Sequence, residues 1–262
     1  MSAVTEVLSV CRAEARAALV GYLPVGYPDL PSSLKAFRTM VEAGVDIVEV
    51  GLPYSDPLMD GPVIQRAAEA ALAHGSHVVD GFAAVSECVD AGAPALVMSY
   101  WNLVRHRGVD RFAADLAAAG GSGLITPDLI PDEAAEWVAA SDAHGLDRVF
   151  LVAPSSTRER LIVVTSACRG FVYAASTMGV TGTRDSVGSA AEGLVARTRE
   201  VTRLPVCVGL GVSTRDQAAD VARFADGVIV GSALVRALGE GLDSLRSLTA
   251  ELAAGVREGR PR

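Results

Sequence analysis

Apolar residues along this chain gather in eight short, nearly continuous runs, separated by longer stretches where apolar and polar positions mix. The runs are AALVGYLPV (17–25), VDIVEVGLP (45–53), PALVMSY (94–100), SGLITPDLI (122–130), DRVFLVAP (147–154), GFVYAAS (170–176), LPVCVGLGV (204–212) and DGVIVGSALV (226–235). Continuous apolarity, as opposed to strict alternation, predicts parallel strands covered on both faces. The stretches between them predict helices. In SSLKAFRTMVEAG, Leu34, Phe37, Met40 and Val41 recur at helical spacing, and Gly44 stands where a C′ glycine belongs. PDEAAEWVAASDAHG opens on Pro131 and early acids and closes at Gly145, and Thr214 and Gln217 fit a capping box. Trp137 fits the face of a helix packed on the strands.

Eight strands alternating with helices in roughly 250 residues predict an α/β protein with a (β/α)8 barrel, the TIM-barrel architecture. An open, doubly wound sheet is the runner-up. No linker, low-complexity tract or change of composition divides residues 1–262, so one domain is expected. MSAVTEVLSVCRAEARAAL interleaves Glu6, Arg12 and Glu14 with apolar residues, which predicts an amphipathic helix ahead of the first strand and no signal-peptide core.

Composition narrows the function. With 50% hydrophobic and 21% charged residues, 262 residues can bury a large core. A net charge of −8 argues against a nucleic-acid or anionic membrane surface. Cys11, Cys88, Cys168 and Cys207 are scattered and form no CxxC pair, as in a reduced, soluble, cytoplasmic protein. His74 and His77 have nothing nearby to complete a metal site, so no metal is expected.

In a barrel the chemistry sits just after each strand. Glu49 interrupts Ile47-Val48 and Val50, sharing one strand face with Ile47 and Gly51. No basic residue is expected mid-strand to pair with it, so desolvation would favour its neutral form and suit it to general acid/base work. Asp60 lies in the loop PYSDPLMDGP, which reads as mobile and able to reach back over the barrel mouth. Two carboxylates in unlike environments can divide acid and base roles. Asp56, in the same loop, fits ordinary turn chemistry. Later strands end in STMGVTGTR, GLGVST and VGSALV, which gather Gly179, Gly182, Gly209, Gly211, Gly231 and Ser232. Such glycines admit backbone N–H groups to an anion, and a helix starting after VGS would add its positive end. Tyr22, Tyr100 and Tyr173 fall in or at the ends of strands, as core or as walls of a pocket for a flat ligand.

With EVGLPYSDPLMDGPVIQ, YWNLVRHRG, PDLIPDEA, GVTGTR, GLGVST and VGSALV in order, the chain resembles the tryptophan synthase α-subunit family from about Val20 to its last helix. The resemblance implies a lyase of tryptophan biosynthesis that cleaves indole-3-glycerol phosphate to indole and glyceraldehyde 3-phosphate without a cofactor of its own. It implies that Glu49 is the acid/base and that Asp60 hydrogen-bonds the indole N–H. Gly182, Gly211, Gly231 and Ser232 would hold the phosphate. Tyr22, Tyr100, Tyr173 and Leu210 would border the substrate, and Thr181 would meet Asp60 on loop closure. Pro53, Asp56 and Pro57 would face a β subunit that carries pyridoxal phosphate, in an α2β2 assembly. Thr177 replaces an arginine common in relatives, and Leu210 an aromatic. Two other readings remain: a binding and activating subunit with little chemistry, and a stand-alone phosphosugar barrel enzyme.

Overall fold

The computed structural model describes residues 2–175, 184–209 and 211–258. Nine parallel strands form one sheet: β1 (Ala18–Pro24), β2 (Ile47–Gly51), β3 (Ala95–Met98), β4 (Gly123–Ile125), β5 (Asp147–Val149), β6 (Leu151–Val152), β7 (Val172–Ala175), β8 (Val206–Gly209) and β9 (Gly227–Val230). Their order is β5-β4-β3-β2-β1-β9-β8-β7-β6. The two end strands are consecutive in sequence and joined by Phe150 alone, so the covalent chain closes the sheet. The architecture is the expected (β/α)8 barrel, and every apolar run carries strand structure.

The fifth run differs in detail. It reads as one strand but is two, because β5 pairs with β4 in register Gly123↔Asp147 while β6 pairs with β7 in register Leu151↔Tyr173. Its hydrogen-bonding partner changes at Phe150, whose side chain packs into the outer core.

Strand alternation divides the core in two. Outward residues such as Val48, Val50, Val97 and Val208 meet the surrounding helices. Inward residues, among them Val20, Ile47, Leu96, Ile125, Val149, Phe171 and Cys207, fill the barrel axis. The first helix (Ala3–Ala13) completes that inner column, with Val4, Leu8 and Cys11 on one face at i, i+4, i+7. It plugs the end of the barrel where the strands begin. Ser2 caps it by accepting the Thr5 N–H at 3.3 Å.

The helix Leu30–Glu42 ends as its sequence predicts, with Gly44 at φ +110°. PDEAAEWVAASDAHG is two pieces: a 3₁₀ turn at Pro131–Glu133, a break at Ala134, then a helix from Ala135 to Ala143. Thr214 caps Arg215–Ala222 by accepting the Gln217 N–H at 3.3 Å, but the Gln217 side chain bonds the Ser213 N–H instead of completing a capping box. Trp137 is fully buried against the barrel. His74 and His77 sit at helix ends, bonded locally, and no described cluster of three or more His, Cys, Asp or Glu could hold a metal ion.

Candidate active site

Glu49 belongs to the inward face of β2, two residues beyond the buried Ile47, and it stands at the base of a cavity of about 250 Å³ at the barrel mouth. It is 1% exposed, and its Oε1 has no hydrogen-bond partner among the described residues. Burial pushes its carboxyl up to about 8, so at neutral pH it keeps its proton. The expectation of no basic residue mid-strand is corrected by Arg148 in β5. Its guanidinium, however, points to the outer face, where it meets Asp142 at 2.6 Å, the Ser141 hydroxyl at 3.0 Å and the Ala167 carbonyl at 3.0 Å. Glu49 stays unpaired because pleating sends the two side chains to opposite faces.

Asp60 enters the same cavity from the loop after β2, and burial raises its carboxyl while the Tyr100 hydroxyl pulls it down. The loop is less free than its composition suggests. Tyr100 Oη accepts the N–H groups of Leu58 at 3.1 Å and Met59 at 3.0 Å, and donates to Asp60 Oδ1 at 3.4 Å. Gln65, on the helix Pro62–Ala73, donates its Nε2 to the Asp60 carbonyl at 2.8 Å. The Tyr54 ring lies 5.1 Å from that of Tyr100. Tyr100 thus stands behind the loop and holds it, whereas Tyr22 and Tyr173 line the cavity.

Around the barrel from Glu49, on the far side of β1, Gly231 after β9, which precedes the helix Ser232–Glu240, and Gly211 after β8, at φ +68°, line the cavity together with Ser232. Only glycine adopts the Gly211 conformation without strain. The helix N-terminus brings unpaired N–H groups and positive potential to this side. No lysine or arginine lines the cavity among the described residues, so an anion here meets backbone and dipole. The strand-end glycines have a second use. A side chain at Gly209 would come within 2.8 Å of Tyr173 Oη, and one at Gly231 within 3.3 Å of the Tyr22 ring, so these glycines also seat the tyrosine walls.

Thr177, Gly179, Thr181, Gly182 and Leu210 lie outside the described residues. Asp56 is exposed and bonded to the Ser55 hydroxyl, away from the cavity; Pro53 is buried and Pro57 half-buried. Beside them Leu58 is 79% exposed, a large apolar side chain turned outward. Sequence reasoning passed over Met59, Ile64, Met98, Leu151, Ala175 and Ile229, which complete the lining. For Met98 the signal was available, since it is two residues beyond inward Leu96.

A protonated carboxyl below, a second carboxylate above, an anion cradle to one side and apolar walls suit a flat apolar group with an anionic tail, handled by proton transfer. The family model described as "Tryptophan synthase alpha chain" matches residues 8–260. A tryptophan synthase alpha chain from Mycobacterium marinum is 68% identical over 248 residues, covering 95% of this chain and 92% of that protein. One from Mycobacterium tuberculosis is 65% identical over 253 residues, covering 97% and 94%. Among solved structures, tryptophan synthase from M. tuberculosis superposes with a TM-score of 0.94 at 63% identity, over 98% of this chain and 99% of that one. Tryptophan synthase subunit alpha from Legionella pneumophila superposes with a TM-score of 0.88 at 31% identity, covering 99% and 98%.

Proposed function

We propose, for a chain that belongs to the tryptophan synthase alpha chain family, that Glu49 and Asp60 divide the work of its reaction. That reaction, a lyase step of tryptophan biosynthesis, is the cleavage of indole-3-glycerol phosphate. Protonated Glu49 gives its proton to indole C3, which loosens the bond from C3 to the glycerol carbon. The carboxylate left behind accepts the proton of the hydroxyl on that carbon. The C–C bond then breaks, its electrons return to the ring, and indole and glyceraldehyde 3-phosphate separate. Asp60 accepts a hydrogen bond from the indole N–H and stabilises the positive charge the ring carries in between. Gly211, Gly231 and Ser232, with Gly182, hold the phosphate through backbone N–H groups and the helix end. Tyr22, Tyr173 and Leu210 border the substrate, Tyr100 keeps Asp60 in reach, and Thr181 meets Asp60 when the site closes.

The observation that carries this reading is the Glu49 carboxyl, buried at the cavity floor with an oxygen that no described residue satisfies. A buried polar atom left unpaired costs about 1–3 kcal/mol, a cost that structural carboxylates avoid and reactive ones bear. We further propose one domain spanning residues 1–262, in the cytoplasm, in keeping with four buried free cysteines. This subunit needs no cofactor of its own in that scheme, because both proton transfers and the charge stabilisation use side chains it already has. A β subunit holding pyridoxal phosphate would receive the indole in an α2β2 assembly, with Pro53, Asp56 and Pro57 facing it; the exposed Leu58 in that loop supports such a contact.

The test is indole release from indole-3-glycerol phosphate by the purified chain, with and without a tryptophan synthase β subunit. Slow release that rises strongly with the partner is expected. Substantial turnover by Glu49→Gln would remove Glu49 from the mechanism.

A further inference from the structure

Tyr22 stands apart from the other cavity-lining side chains. Its Cα pairs with that of Glu49 across β1 and β2, so phenol and carboxyl leave neighbouring strands at the same level of the barrel. The ring lies between strand-end glycines on both sides. A methyl group placed on Gly51 would overlap the phenol oxygen and the adjoining ring carbons, and one on Gly231 would press on the ring edge at 3.3 Å. Since Gly51 shares the inward face of β2 with Glu49, the hydroxyl occupies the place where a side chain at 51 would begin. That is one pleat above Glu49 and below Asp60.

Two facts show that this hydroxyl is more than the tip of a packed ring. Among the described residues it makes no hydrogen bond, although Tyr22 is only 9% exposed and its free face is the cavity. A phenol that fully enclosed would find a partner. It also lies within the fields of both carboxylates: burial, then Asp60, then Glu49 hold it well above its ordinary value, so it remains a donor throughout the working pH range. Tyr173 has Glu49 as a charged neighbour but not Asp60.

We propose that the Tyr22 hydroxyl is a substrate-positioning group which hydrogen-bonds a hydroxyl of the glycerol chain and turns the scissile carbon toward Glu49. No proton is transferred in this role; the phenol donates or accepts one hydrogen bond and keeps its own proton. Its place explains why a tyrosine is held there so tightly. Apolar walls fix the indole and the backbone cradle fixes the phosphate, but the glycerol hydroxyls between them meet few other polar side chains. Gly51 and Gly231 keep the phenol from swinging away.

This inference rests on the lyase reading above, and its test separates the two. Tyr22→Phe removes one oxygen and keeps the ring that fills the glycine seats. Wild type and variant, each with a β subunit, are assayed for cleavage of indole-3-glycerol phosphate. Each is also titrated with indole-3-propyl phosphate, which has the ring and the phosphate but no glycerol hydroxyl. Tyr22→Phe is expected to lose about tenfold in kcat/KM, the scale of one well-placed hydrogen bond, with most of the loss in kcat. Its affinity for the propyl phosphate is expected to stay within about twofold of wild type, which also certifies an intact site. Unchanged cleavage by the variant would overturn the proposal. Equal losses for both ligands would do so as well, by reducing Tyr22 to a wall. Absence of cleavage by the wild type itself would instead overturn the reaction on which it rests.

Discussion

At the end of the barrel where the strands begin, three aspartates are bound into the framework. Asp46 accepts two N–H groups of Arg16, both at 3.0 Å, and the Leu19 N–H at 2.8 Å. Asp226 gathers Arg12 at 3.2 Å, Arg199 at 3.0 Å and the Val206 N–H at 2.9 Å. Asp147 takes the Ser2 hydroxyl at 2.5 Å, which offsets part of the upward push of its burial. At the opposite end Glu49 Oε1 has no described partner, and the Asp60 side chain has one long bond from Tyr100. The same functional group fastens the fold at one end and is left reactive at the other. What differs is the supply of donors: arginines and strand-start N–H groups below, apolar walls above. A carboxylate surrounded by donors fixes geometry, whereas one deprived of them keeps a proton it can deliver.

The comparison can be broken most forcefully at Glu49. Glu49→Gln is expected to lower indole release at least a thousandfold with the circular dichroism unchanged, since it cannot exchange a proton. The same variant sharpens the contrast through stability. Between about pH 4.5 and 8 the unfolded chain has released the Glu49 proton while the folded chain retains it, so wild type loses stability as pH rises through that window. Glutamine does not titrate. Its stability relative to wild type should therefore grow by about 3.5 kcal/mol from pH 5 to pH 8, measured by urea unfolding at each pH. A flat difference would mean that Glu49 ionises normally.

The lower end should answer in the opposite manner. Asp46→Ala takes from the mostly buried Arg16 its two-point partner and leaves it the half-exposed Glu14, and is expected to cost about 2 kcal/mol of stability, with kcat within twofold of wild type. Smallest is Tyr100→Phe, which frees the Asp60 loop from one end. It should lower kcat about fivefold and shift stability by about 1 kcal/mol or less. A fall in stability without a fall in kcat would make Tyr100 a structural strut only.

Much of this was legible in one dimension, because a parallel barrel writes each strand as an apolar run and a carboxylate within such a run stands out. Glu49, Asp60, Tyr22, Tyr173, Gly211, Gly231 and Ser232 do meet at one cavity. Other features depend on relations between distant segments. The break at Phe150 leaves the apolar pattern intact and changes only the hydrogen-bond partner. Arg148 reads as a mid-strand cation, but its direction is fixed by Asp142 and Ser141 across the outer layer. Leu151 and Ile229 look like core because the cavity wall is a continuation of the core. The glycines that seat Tyr22 and Tyr173 have their reason on the neighbouring strand.

The helix Ala3–Ala13 closes the barrel from beneath, so the reaction chamber faces the end where the strands finish. At that end the loop that carries Asp60 and Leu58 forms part of the rim. Retention of a small neutral product is then a matter of traffic at a doorway more than of grip inside the room. A protein seated on that rim would decide the product's destination without making a single contact with it.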